Sequence, residues 1–257
     1  MKKSGFIKFA PPAIFVIVLL FLWDLVSSLH IVNEYILPSP ATVFKTFMTL
    51  TASGELLSDI AVSMLRVARG FSIAFCLAFV LGMISSVVPV SKWFFEYLVH
   101  FFKNVPPISM IPLLILWAGI GEATKTIIII LASFFPMYMS IVKGFTGCEK
   151  KLLEVGTVFE YSKMRLFLNI VLPSAIADIL VGMRIGLGYA WRAIIGAEMV
   201  AASTGLGHMI LFSQQMARTD KAIAGIFVIG FTGYLCDKCF ALLVANFIKG
   251  AESNERN

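Results

Sequence analysis

Four charged side chains interrupt one apolar stretch near the middle of the second half of the chain: Asp178, Arg184, Arg192 and Glu198. A charge in hydrocarbon costs a few kcal/mol even on the mildest scales, so each needs a partner or water. A guanidinium offers paired donors that match the oxygens of a small oxyanion. Arg192 therefore has two readings: attraction of an anion along a path through the membrane, or an ion pair with a carboxylate such as Glu198 that fixes helix packing. Arg184, Gly188 and Arg192 recur at steps of four on one side of a helix, and Gly182-x-x-x-Gly186 offers a surface for close helix approach. The implied element is a pore-lining or dimer-facing helix.

Other chemistry finds no support. Cys236 and Cys239 form a CDKC without a second Cys or His pair at metal spacing, and His30, His100 and His208 are scattered. No H-E-x-x-H or G-x-S-x-G occurs, and no nucleophile has a base to activate it, so the chain reads as a non-enzyme that binds no cofactor or metal. It has no G-x-x-x-x-G-K-[ST] loop to cradle ATP phosphates. The net charge of +6 lacks the basic-aromatic pattern of a nucleic-acid binder.

Composition names the solvent. Hydrophobic residues make up 59% of the chain and charged ones 14%, with a mean hydropathy of +0.90, too apolar for the surface of a soluble domain. Long continuous apolar runs such as FSIAFCLAFVLGMISSVV favour helices over the alternating strands of a barrel. The fold class expected is an all-α polytopic membrane protein. Six spans are predicted: a retained N-terminal anchor beginning at Ala10, then about Val67 to Val88, Val105 to Ile120, Thr124 to Val142, Ile176 to Val200 and Ala222 to Phe247. With the N-terminus inside, 13 Lys and Arg fall in cytoplasmic segments and 6 outside, so both termini are expected in the cytoplasm. Asp24, Asp237 and Lys238 read as interfacial, with no role.

Between spans four and five, LLEVGTVFEYSKMRLFLNIVLPSA keeps apolar residues at three- and four-residue steps with Glu154, Glu160, Lys163 and Arg165 on other faces. It is an amphipathic helix or two short ones, braced by Lys150 and Lys151 pairing with Glu154, and Pro173 either stops it or opens the next helix. Pattern alone leaves open an interfacial helix or a partner-docking one. A second amphipathic segment, from Pro38 to Asp59, reads as a surface helix on the outer face.

The same stretch resembles the signature loop of the permease subunits of binding-protein-dependent ABC importers, Glu-Ala-Ala, Gly four residues on, then an apolar pair and Pro. Glu154 and Pro173 fall on its ends without gaps, while Val155 and Gly156 replace the alanines and Glu160 replaces the glycine. If that glycine supplies a positive-φ turn, Glu160 either bears strain or sits in ordinary helix. LPSPATVF, PPISMIPLLILWAGIGEATK, GYAWRAIIGAEMVAASTGLGHMI and TDKAIAGIFVIG extend the resemblance to the sulfonate, nitrate and taurine branch.

That resemblance implies a coupling helix carrying Glu154, Val155, Gly156, Glu160 and Pro173, and an outer gate loop around Gly205 and Gly207. Its partners would be an ATPase subunit dimer holding ATP and Mg, an extracytoplasmic solute-binding protein, a second permease chain and the lipid of the bacterial inner membrane, with no nucleic acid. The cargo implied is a sulfonate, taurine, nitrate or small heterocycle. A secondary transporter, the other class weighed, would need internal repeats that are not evident. The expected division is 1–59 as anchor and external segment, 60–250 as permease core and 251–257 as tail.

Overall fold

The computed structural model describes residues 4–29, 31–87 and 97–254, with side chains over 14–29, 31–87 and 97–245. These residues form helices and connecting turns, with no strand among them. In chain order they are α1 (Ser4–Ser28), α2 (Pro40–Ala52), α3 (Glu55–Val87), a 3-10 turn (Pro107–Met110) leading into α4 (Ile111–Ala118), α5 (Glu122–Thr146), α6 (Lys150–Val158), α7 (Lys163–Leu166), α8 (Leu172–Ala201), α9 (Leu206–Gln215) and α10 (Thr219–Asn254).

Four helical segments are long and apolar enough to cross a membrane: Glu55–Val87, Glu122–Thr146, Lys163–Ala201 and Thr219–Ala245. Ile14–Ser28 and Pro107–Ala118 are shorter apolar helices. The third expected span is thus a brief one, since its 12 helical residues rise only about 18 Å. The second expected span begins earlier than its apolar run suggests. α3 starts at Glu55, about three turns before Val67, so the boundary placed after residue 59 falls inside a helix and the external amphipathic segment is divided between α2 and the first turn of α3.

α3 and α5 run parallel, and α8 returns antiparallel between α5 and α10. The closest pair is α5 with α8, and the small-residue surface explains it. A methyl group on Gly182 would overlap Ser140, and one on Gly186 would overlap Met137. The helix that uses Gly182-x-x-x-Gly186 is therefore α5 of the same chain, and Arg184 and Gly188 are left on the other side, with Arg192 between the two faces.

Two apolar cores stack along the bundle. One joins Val67, Ile111, Ile128, Trp191, Ile194 and Leu206, and the other joins Ala74, Ala78, Met137, Ile141, Phe145 and Ile179. Large side chains on the outward faces of α1, α3 and α10, such as Phe15, Val80 and Phe231, stay exposed, as lipid-facing residues must. α1 leans on the rim through Trp23, whose Nε1 donates to the Pro38 carbonyl (3.0 Å) and whose ring stacks on Phe227.

Candidate functional site

At one end of the bundle the chain between α5 and α8 folds into a helical hairpin. α6 is closed by two reversed bonds: Tyr161 N donates to Gly156 O and Glu160 N to Thr157 O, both at 3.0 Å. This pattern places Glu160 at the position where a helix usually ends on a left-handed glycine, and its φ is +52°. Of the two alternatives for Glu160, the strained one is realised. Ser162 then caps α7, its Oγ accepting from Arg165 N at 3.4 Å.

Gly156 lies buried where the two arms meet, and a methyl there would strike Leu166 and Ile170. Pro173 opens α8 rather than stopping the pattern. The turn before it, Phe167–Val171, is a wider π turn, which shifts the backbone ladder past a residue that has no N–H to donate. α7, this turn and α8 are consequently continuous, and the hairpin is an extension of a membrane helix.

The outward face of α6 carries Leu152, Val155, Val158 and Phe159, of which Val158 is 81% and Phe159 67% exposed. Glu154 and Glu160 are exposed beside them. The expected bracing of Glu154 by Lys150 or Lys151 is not found: among the described residues its carboxylate has no ion-pair partner. An unpaired acid is thus left beside an apolar patch.

α8 carries the intramembrane charges. Lys143 Nζ bonds Asp178 Oδ1 (2.8 Å) near the hairpin end. Arg184 makes a two-pronged pair with Asp237 of α10, Nε to Oδ1 at 2.8 Å and Nη2 to Oδ2 at 2.7 Å, so Asp237 is a packing partner and not an idle interfacial group. Glu198 is fully buried, and its partner is Arg66 of α3 (Nη1 to Oε1, 2.7 Å), not Arg192. Spacing explains the correction. Residues six apart on a helix lie about 120° apart around its axis, so Arg192 and Glu198 face different neighbours.

Arg192 stacks over the Tyr189 ring, 5.6 Å from its centroid, and has no carboxylate partner among the described residues. It borders two half-open clefts of about 350 and 390 Å³. One lies between α5, α8 and the segment from Lys103 into the 3-10 turn at Pro107 and Ile108, and the other between α3, α8 and α10.

At the other end of the bundle, Gly205 and Gly207 flank the start of α9 and are tied to α3 and α8. Glu198 accepts from Gly207 N (3.0 Å) and from Ser63 Oγ (2.9 Å), Ser63 Oγ accepts from Leu206 N (3.0 Å), and Asp59 Oδ1 accepts from Gly205 N (2.9 Å). Arg66 also donates to Thr204 O (2.7 Å) and to Glu122, which Lys125 holds in turn at 2.5 Å. Gly205 has φ +108°, and a methyl on it would enter the Glu198 carboxylate. Asp59, Ser63, Arg66 and Glu122 were absent from the residues expected. The signal for the first three was the spacing Asp59-x-x-x-Ser63-x-x-Arg66, one polar face on an apolar helix.

Residues 74–252 match the family described as "Binding-protein-dependent transport system inner membrane component". The chain is 33% identical over 255 residues to the putative aliphatic sulfonates transport permease protein SsuC of Bacillus subtilis (strain 168), covering 99% of this chain and 91% of that one. It is 34% identical over 224 residues to the protein of that name from Escherichia coli (strain K12), covering 86% and 84%. Among solved structures, an amino acid ABC transporter crystallised with histidines superposes with a TM-score of 0.60 at 12% identity, over 78% of this chain and 95% of that one, a likeness of fold.

Proposed function

The chain belongs to the binding-protein-dependent inner membrane components of ABC importers, and from that premise we propose that α6 is the joint through which a separate ATPase drives this permease subunit. The observation that carries the reading is the uncovered face of α6. No described residue of this chain covers Leu152, Val155, Val158 and Phe159, while Lys150, Lys151, Glu154, Lys163 and Arg165 keep the hairpin out of the hydrocarbon core. A short helix with an apolar stripe and a free acid fits a groove on a protein partner.

Force applied there has a direct route. Because α7, the π turn and α8 are continuous, a movement of the hairpin turns α8 against α5 and carries Arg192 and Glu198 with it. ATP-driven closure of two ATPase subunits would bring two such hairpins together and bias the membrane helices between an inward-open and an outward-open arrangement. The loop at Gly205 and Gly207, clamped to Glu198, is the element at the opposite end that closes or opens with α8.

In this reading the hairpin and both termini face the cytoplasm of the bacterial inner membrane, following the basic-residue bias. Two copies of the chain pair, an extracytoplasmic binding protein delivers a small organic anion such as a sulfonate to the loop end, and ATP and Mg reside on the ATPase. Reconstitution of the chain in liposomes with its ATPase and binding protein tests this. ATP-dependent uptake of taurine or ethanesulfonate is expected, abolished by Glu154→Lys in protein that still inserts. Normal uptake by that variant would remove Glu154 from the joint.

A further inference from the structure

The charges along α8 are not all balanced. Glu198 is matched by Arg66, Arg184 by Asp237, and Asp178 by Lys143, which leaves Arg192 without a counter-charge among the described residues. It sits six residues before Glu198, about 9 Å down the axis of a helix long and apolar enough to cross a membrane. A guanidinium at that depth needs an anion or water.

The cleft beside it adds a second cation. Lys103 and Arg192 both line the 350 Å³ cleft, no carboxylate lines it, and Lys103 also has no ion-pair partner among the described residues. The rest of the wall is largely apolar, with Leu131, Phe135 and Met139 of α5 opposite Tyr189. Pro136, inside α5, borders the same cleft.

Resting on the permease reading above, we infer that this cleft is an anion site within the membrane path, where Arg192 and Lys103 hold the oxyanion head of a small organic anion and the α5 side chains take its short apolar tail. The volume suits a ligand at the small end of the usual range. The fork of Arg192 meets two oxygens of a sulfonate or carboxylate, and Lys103 supplies a mobile third donor. A neutral solute of the same shape leaves both cations uncompensated, so the permease itself selects by charge, whatever the binding protein selects.

The test is a melting-temperature titration of the purified full chain, with whatever partners it retains, using ethanesulfonate against chloride-matched controls and the neutral ethanesulfonamide. Ethanesulfonate is expected to raise the melting temperature of the wild type and ethanesulfonamide to leave it unchanged. Arg192→Gln should weaken the apparent affinity by about ten-fold or more, the loss expected for charge-assisted hydrogen bonds. Arg192→Lys and Lys103→Gln should each weaken it less. An unchanged affinity in Arg192→Gln, or no wild-type response, would overturn the site. The uptake assay separates the two readings. ATP-dependent uptake with an unaltered Arg192→Gln affinity rejects only the anion site, whereas anion binding at Arg192 without ATP-dependent uptake rejects the reading of α6 as the ATPase joint and leaves the site standing.

Discussion

Arg66 Nη1 lies 2.7 Å from Glu198 Oε1, and the carboxylate it meets has no exposed surface. This pair joins α3 to α8 and fastens the loop that begins α9 to both, because Thr204, Leu206 and Gly207 complete the same hydrogen-bond network. Removing Arg66 leaves the buried Glu198 charge without its counter-ion, held only by Ser63 Oγ and Gly207 N. Arg66→Met should therefore destabilise the chain by about 3–5 kcal/mol, and the double variant Arg66→Met with Glu198→Gln should recover part of that loss. Thermal unfolding in detergent reads both; additive losses would mean that the two side chains do not act as a unit.

Glu160 is a non-glycine residue at φ +52° that closes α6. Replacing it by glycine removes the clash of Cβ with the backbone and should stabilise the hairpin locally by about 1 kcal/mol, whereas Glu160→Val should weaken it. The Tyr161 amide, which donates to Gly156 O, is the reporter. Its hydrogen exchange should slow in the glycine variant and quicken in the valine one.

Gly205 adopts φ +108° with the Glu198 carboxylate against the place a side chain would occupy. Gly205→Ala should cost about 1–3 kcal/mol of local stability from the backbone conformation alone. Hydrogen exchange of the Gly207 and Leu206 amides should rise sharply, while that of the α6 hairpin stays as in the wild type.

The two ends of the molecule differed in how far they could be read from sequence. The hairpin was legible because its determinants are local: a three- and four-residue apolar rhythm, a proline that can begin a helix, and a residue standing where the motif has glycine. A side chain at that glycine position must bear strain or stay in helix, and Glu160 bears it. The partner of Glu198 was not legible, since it depends on the depth and rotation of three helices whose order in space follows from packing. Arg192 was the near candidate in sequence, and its six-residue offset argued against it. The same cause hid the pairing of Arg184 with Asp237, two opposite charges in apolar runs 53 positions apart. The third span was legible in place, Val105 to Ile120 against the helix Pro107–Ala118, because Pro106 and Pro107 at one end and Gly119 at the other bound it locally.

The claim on which the account rests is that α6 carries an ATPase. The direct measurement is gentle extraction of the tagged full chain from its native membrane, with quantification of what accompanies it, for the wild type and for Val158→Asp, a change on the uncovered face that touches no core residue. The account predicts a nucleotide-binding ATPase in equal amount with the wild type and its loss from a variant that is still inserted. A wild-type chain that emerges alone and moves solute across liposomes without ATP would contradict it.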